Sequence, residues 1–205
     1  RLCLAAADRA ADRHDIPRAV MRALTRTETG RSREGRLEPW PWTVNFEGEG
    51  RWFDSPREAL AWIEAERARG GRSFDAGCFQ INHVWHGDAF PSIAAMFEPQ
   101  RNADYAAQFL HGLWEESGDW AKAAGLYHSR TPHFRDRYAA RFARILADGD
   151  PEAAMSAEFT GPAGGKAAPS PAVWRPASAP RTPGAVGVSM LTGTAGPLPR
   201  AARGP

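Results

Sequence analysis

The sequence predicts a mainly α-helical domain carrying one small β-hairpin, followed by a disordered tail. Three observations lead there: apolar residues recur at spacings of three and four through most of the first 150 residues, one segment alternates instead, and composition changes abruptly near residue 160. At 205 residues and 42% hydrophobic composition the chain can bury one core of ordinary size but not two large ones.

Leu2 to His14 is Ala-rich and stops before Asp15-Ile16-Pro17, where the proline suits the first turn of a second helix running to about Thr29 and halting at Gly30. Trp42, Val44 and Phe46 alternate, Glu47-Gly48-Glu49-Gly50 supplies a turn, and Trp52-Phe53 resumes the pattern, so 43–53 reads as a hairpin. Ser55-Pro56-Arg57-Glu58 has capping-box spacing and opens a helix that ends at Gly70-Gly71. Further helices are expected at Gly77 to Val84, Pro91 to Met96, Asn102 to Glu116, Asp119 to His128 and Pro132 to Ala147. The last of these carries Phe134, Tyr138, Phe142 and Ile145 on one face.

The domain is expected to span residues 1–158. The tail, 159–205, holds nine prolines and eight glycines from Gly161 onward, with too few apolar groups to offset the entropy of ordering. It is either a passive extension or a docking segment, with Ala172 to Arg175 and Val186 to Leu191 as anchors. No acidic residue follows Glu158, so the domain carries 21 cationic against 24 acidic side chains and the tail five cations alone. A net charge of +2 argues against a nucleic-acid binder. No run approaches the roughly 20 apolar residues of a membrane span. The sequence opens on Arg1, so any signal peptide is expected to be missing from it. Cys3 and Cys78 have no zinc-like spacing and are either two buried thiols or one disulfide.

Val20, Leu24 and Glu28 lie four apart and stack on one helix face, which makes Glu28 the acidic end of a buried stripe. A carboxyl there is desolvated and keeps its proton near neutral pH, as a general acid must. The alternative is a carboxylate pointing off the helix end into water. Two further segments bear on the choice. Ser73-Phe74-Asp75-Ala76-Gly77-Cys78-Phe79-Gln80-Ile81-Asn82 sets Gln80 and Asn82 among apolar neighbours, where their amides can meet sugar hydroxyl and acetamido groups. Ala124-Gly125-Leu126-Tyr127-His128-Ser129 puts a phenol at a helix end.

Together, Ala23-Leu24-Thr25-Arg26-Thr27-Glu28-Thr29-Gly30, Asp75-Ala76-Gly77-Cys78-Phe79-Gln80-Ile81-Asn82 and Gly125-Leu126-Tyr127-His128-Ser129-Arg130 resemble the three signature blocks of lytic transglycosylases with a soluble-transglycosylase, lysozyme-like domain. The resemblance covers about residues 3–146. The family's catalytic glutamate followed by Ser or Thr matches Glu28-Thr29. Its Gly-Leu-Met-Gln-Ile keeps glycine, glutamine and isoleucine here and changes the middle pair. Its Ala-Tyr-Asn becomes Leu126-Tyr127-His128, losing the asparagine. The block Trp40-Pro41-Trp42-Thr43-Val44-Asn45 and the elements up to Arg69 look like the subset that works with flagellar or other envelope-spanning machines.

The resemblance implies a lysozyme-like fold and a periplasmic, monomeric enzyme that cleaves the MurNAc-β-1,4-GlcNAc bond of peptidoglycan glycan strands without water, leaving 1,6-anhydro-MurNAc ends. It implies Glu28 as acid and then base, and Tyr127 orienting it. Thr29, Phe79, Gln80, Ile81 and Asn82 are the implied substrate-binding set. Trp40 and Trp42, in a proline-bearing loop after the Glu28 helix, are expected to line the groove, since aromatic faces stack on the C–H faces of sugars. The other helical tryptophans, Trp62, Trp85, Trp114 and Trp120, are expected in the core. Asp75 is expected to cap or make a turn rather than to serve as a second catalytic carboxyl. His83 and His86 lack a third ligand, so neither metal nor cofactor is expected. Export makes a Cys3–Cys78 disulfide chemically permissible. A flagellar rod or secretion component is the partner expected for the tail. Goose-type lysozyme activity, or a non-catalytic glycan-binding scaffold, are the alternatives.

Overall fold

The structure, a computed structural model, describes residues 1–33 and 35–149. The expected tail and the boundary at residue 158 lie outside the described residues. The chain order is α1 (Leu2–Arg13), α2 (Arg18–Thr29), β1 (Gly30–Arg33), β2 (Arg36–Pro39), β3 (Thr43–Phe46), β4 (Glu49–Trp52), α3 (Pro56–Ala68), β5 (Phe74–Ala76), β6 (Ile81–Asn82), α4 (His83–His86), α5 (Ile93–Met96), α6 (Pro99–Ser117), α7 (Trp120–His128) and α8 (Pro132–Gly149). The protein is mainly helical with small antiparallel sheets, as the periodicity predicts.

Small residues let the helices pack closely. Cys3, Ala6, Ala7, Ala10 and Ala11 form the buried stripe of α1, which lies against α2 and α6. Helix α2 is buried on nearly every side by α1, α8 and β2, with Val20, Met21 and Leu24 fully enclosed. Helices α6, α7 and α8 complete the bundle, and Phe142 and Trp120 fill its centre. Local chemistry sets the ends: Ser55 and Asp119 accept from the backbone N–H groups of Glu58 and Lys122.

The hairpin expected at 43–53 forms as β3 and β4. Its turn places Glu47 at φ 50° and Gly48 at φ 99°, the two left-handed residues that a two-residue turn compatible with strand twist requires. Sequence periodicity does not announce the rest of the sheet. Strand β5 adds to β3, and β6 to β5, giving the order β4-β3-β5-β6. The helix expected at Gly77 to Val84 is absent. Gly77 and Gln80 take φ of 83° and 47°, which turns the chain back between β5 and β6. A Cβ at position 77 would also lie 2.6 Å from the Met96 carbonyl oxygen. The fully buried Asn102 side chain of α6 accepts from the Phe79 N–H (2.8 Å) and donates to the Ala76 carbonyl (3.0 Å). Those bonds pin the turn to α6 and pair the Phe79 N–H, which lies outside the strands. A second hairpin, β1–β2, begins directly at Gly30, where helix α2 runs into extended backbone.

Cys3 and Cys78 form a disulfide with Cα atoms 5.5 Å apart, linking α1 to the turn that carries Gln80. Because the bond closes a span of 75 residues, replacing both cysteines by serine is expected to lower unfolding stability by roughly 2–5 kcal/mol in denaturant titration. An unchanged midpoint would show that the turn is held without it.

Candidate active site

Val20, Leu24 and Glu28 line up along α2 as predicted, and all three are buried, Glu28 being only 6% exposed. The carboxyl does not point into water. The phenol O–H of Tyr138, on α8 and itself buried, donates to Glu28 Oε1. Burial pushes the Glu28 pKa up to about 8, with the Asp75 charge adding to the rise and the Tyr138 bond and Arg141 opposing it. At neutral pH Glu28 is therefore a protonated carboxylic acid, the state a proton donor needs.

Tyr138 was expected only as an apolar member of the α8 face. Its ring does pack in the core, but a buried phenol needs a hydrogen-bond partner, and that requirement is the one sequence signal that could have distinguished it from Phe134 or Phe142. The hydrogen bond to Glu28 comes from Tyr138, not from Tyr127. The Tyr127 O–H donates to the Phe79 carbonyl at 2.7 Å and so braces the β5–β6 turn from α7. Burial first, and the Glu28 charge second, raise the Tyr127 pKa, so Tyr127 borders the acid without hydrogen-bonding it.

Asp75 also departs from expectation. It neither caps a helix nor makes a turn, but sits mid-strand in β5, where alternation turns it away from the face occupied by Phe74 and Ala76. Register pairs it with Asn45 of β3 on one side and Asn82 of β6 on the other. Both amides donate to it, Asn45 Nδ2 at 3.1 Å and Asn82 Nδ2 at 2.8 Å. Burial raises its pKa to about 6 against those two bonds. Three polar side chains thus form a row across one face of the sheet, next to an acid that feels the charge of the middle one.

Several residues implied as substrate contacts are buried or hydrogen-bonded within the protein. Thr29 is fully buried, and its hydroxyl serves the Thr25 carbonyl (3.1 Å), the Cys78 carbonyl (3.2 Å) and the Trp40 N–H (3.2 Å). Thr25 also donates to the Cys78 carbonyl, at 2.8 Å, so α2 grips the turn through two hydroxyls. Phe79 and Ile81 are core residues. Asn82 divides its side chain between Asp75, Ser73 and the first turn of α4. Gln80 donates to the Thr43 and Gly77 carbonyls, each at 3.0 Å, while its Oε1 has no partner among the described residues. Trp42 faces a different hollow. It lines an apolar groove of about 740 Å³ with Leu2, Leu60, Phe97 and Pro99, and none of the residues around Glu28 takes part.

Trp120 is in the core, and Trp62 and Trp114 pack against it, but Trp85 is 56% exposed on the four-residue α4. His83 stacks on Phe74, and the His86 ring nitrogen meets the Tyr105 hydroxyl at 2.8 Å. Among the described residues no group of His, Cys, Asp and Glu is arranged to hold a metal ion, and no helix is long and apolar enough to cross a membrane. No family model, curated protein or solved structure matches the chain.

In the folded protein Glu28 keeps its proton to about pH 8, whereas in the unfolded chain it loses it near 4.5. Between those values the native state holds the extra proton, so stability falls as pH rises through the window. Glu28→Gln removes this penalty. The variant is expected to be more stable than the native chain by a few kcal/mol above about pH 8, with the difference vanishing towards pH 4.5. Thermal denaturation at both ends of the window checks this, and equal stabilities throughout would mean that the carboxyl titrates normally.

Proposed function

We propose that the protein is a peptidoglycan lytic transglycosylase whose general acid is Glu28. The observation that carries the proposal is the buried, phenol-bonded carboxyl at the end of α2, held protonated at neutral pH beside the turn that bears Gln80. The three sequence blocks that resemble lytic transglycosylases supply the substrate class.

In this mechanism the Glu28 proton passes to the glycosidic oxygen as it leaves C1 of N-acetylmuramic acid. The 2-acetamido group of that sugar stabilises the developing positive charge. The Glu28 carboxylate, briefly anionic in surroundings that disfavour the anion, then takes the proton from the C6 hydroxyl of the same sugar while O6 bonds to C1. The acid is regenerated, the product is a 1,6-anhydro sugar, and no water is consumed. One carboxyl suffices because the substrate provides its own nucleophile. Tyr138 fixes the carboxyl, and its bond also favours the anion through which the reaction passes. Such an enzyme works on the wall side of the cytoplasmic membrane, so we place it in the periplasm, opening the wall for a flagellar rod or secretion apparatus.

Hydrolysis is the second candidate reaction, and Asp75 is the feature that favours it. Two carboxyls with pKa values near 8 and 6 form the unequal pair that acid–base hydrolysis uses. Against it, both Asp75 oxygens already accept from Asn45 and Asn82, which suits a group that holds the sheet more than one that activates water.

Purified sacculi incubated with the protein are expected to release muropeptides lighter by one water than hydrolytic products, and Glu28→Gln should release none. Full-mass reducing ends would instead establish hydrolysis, and solubilisation by the Gln variant would remove Glu28 from the mechanism. Tyr138→Phe deletes the donor but keeps the ring. It is expected to slow turnover about tenfold to a hundredfold and to move the alkaline limb of the pH profile upward, because the lost bond favoured the charged carboxylate.

A further inference from the structure

The His128 ring lies on the Tyr138 ring with centroids 4.6 Å apart and planes 12° from parallel. Tyr138 is the residue that donates to Glu28. The imidazole is half-buried at the last position of α7, and its ring nitrogens make no hydrogen bond among the described residues, so stacking is its principal contact. A phenol on one helix that must hold its oxygen on a carboxyl of another gains from a flat surface against its open face. Helix α7 supplies that surface.

We propose that His128 is a positioning residue for the acid, acting through Tyr138: the stacked imidazole holds the phenol ring in the plane from which its hydroxyl reaches Glu28. This rests on Glu28 being the general acid. The charged and titratable groups that act on this cluster are Arg141 of α8, Tyr127 of α7 and Asp75 of β5, besides Glu28 and Tyr138 themselves. Burial first, and Arg141 second, hold the His128 pKa below its ordinary 6.5. At neutral pH the ring is therefore uncharged, and it orients Tyr138 without adding a second cation near the carboxyl.

Two measurements on the full chain test this. The first is turnover on purified sacculi for the native protein, His128→Ala and His128→Phe. The second follows the Glu28 carboxyl across pH by carbon-13 NMR, which does not depend on any reaction. His128→Ala is expected to lower kcat about fivefold with KM changed less than twofold. It should also raise the Glu28 midpoint by about half a pH unit, because a loosened phenol stabilises the anion less. His128→Phe restores the flat surface and should return both quantities to native values. If the Ala variant does not fold, His128→Asn replaces it with the same expectation.

A Glu28 midpoint that ignores the loss of the ring, or a Phe variant that behaves like Ala, would overturn the proposal. The outcomes separate the two inferences. Activity retained in Glu28→Gln with the midpoint still responding to His128→Ala would defeat the proposed reaction and leave the positioning intact. Activity lost in Glu28→Gln with kcat and midpoint both indifferent to His128→Ala would do the reverse.

Discussion

A carboxyl enclosed at the end of an apolar helix face cannot remain an unpaired anion, and the Tyr138 hydroxyl is what lets Glu28 remain there. Leaving it unbonded would cost the desolvation of a buried polar group, and ionising it would cost more. The bond also constrains the fold, because it joins residues 110 apart in sequence and so fixes α8 against α2 at the depth of the carboxyl. His128 stacks on the same phenol, and Tyr127, one residue before it, reaches from α7 to the Phe79 carbonyl. The acid is thus framed by three helices, with its protonation state set by how completely they exclude water.

The β5–β6 turn is held just as tightly, from four directions. Asn102 serves its backbone from α6, Tyr127 from α7, Thr25 and Thr29 from α2, and the disulfide ties it to α1. Such a turn cannot be recognised from periodicity, because beyond its own Gln80-to-Gly77 bonds its supports come from distant elements. It presents Gln80 with its amide nitrogen committed to the Thr43 and Gly77 carbonyls and its Oε1 unpaired. An amide anchored at one end offers its acceptor in a fixed direction, which is what recognition of a hydroxyl or acetamido N–H requires.

What could be read from the sequence follows from range. The helices, their Ser55 and Asp119 caps and the 43–53 hairpin are set by residues within a few positions of one another, and they form as the spacing predicts. Burial of Glu28 was legible for the same reason, since i, i+4 stacking with Val20 and Leu24 is local. The helix expected at Gly77 to Val84 does not form: Asn102, 23 residues beyond Phe79, takes the Phe79 N–H, and Gly77 and Gln80 adopt left-handed backbone. Asp75 was misplaced with it: once the segment is a strand, alternation alone sets its side chain opposite Phe74, in register with Asn45 and Asn82. Tyr138 escaped notice because a tyrosine on an apolar face looks like any other core aromatic until its hydroxyl needs a partner. Trp42 was placed by its proximity in sequence to the Glu28 helix, yet from its bend just before β3 it lines the groove by Leu2 and Phe97.

The surroundings of Glu28 also limit the chemistry it can perform. Burial and the charge of Asp75 disfavour the carboxylate, while the Tyr138 bond and Arg141 only partly offset them. A mechanism that parks a lasting negative charge on this oxygen, or that needs it ionised before substrate arrives, works against that balance. One in which the carboxyl gives up a proton and recovers another in the same turnover works with it, since the anion then exists only while a neighbouring positive charge, on the sugar in the reaction proposed above, compensates it. Intramolecular ring closure meets this condition with no further group, because the proton returned to Glu28 comes from the hydroxyl that attacks. Hydrolysis meets it only if water is admitted beside the carboxyl, and admitting water would lower the very pKa that keeps the acid protonated.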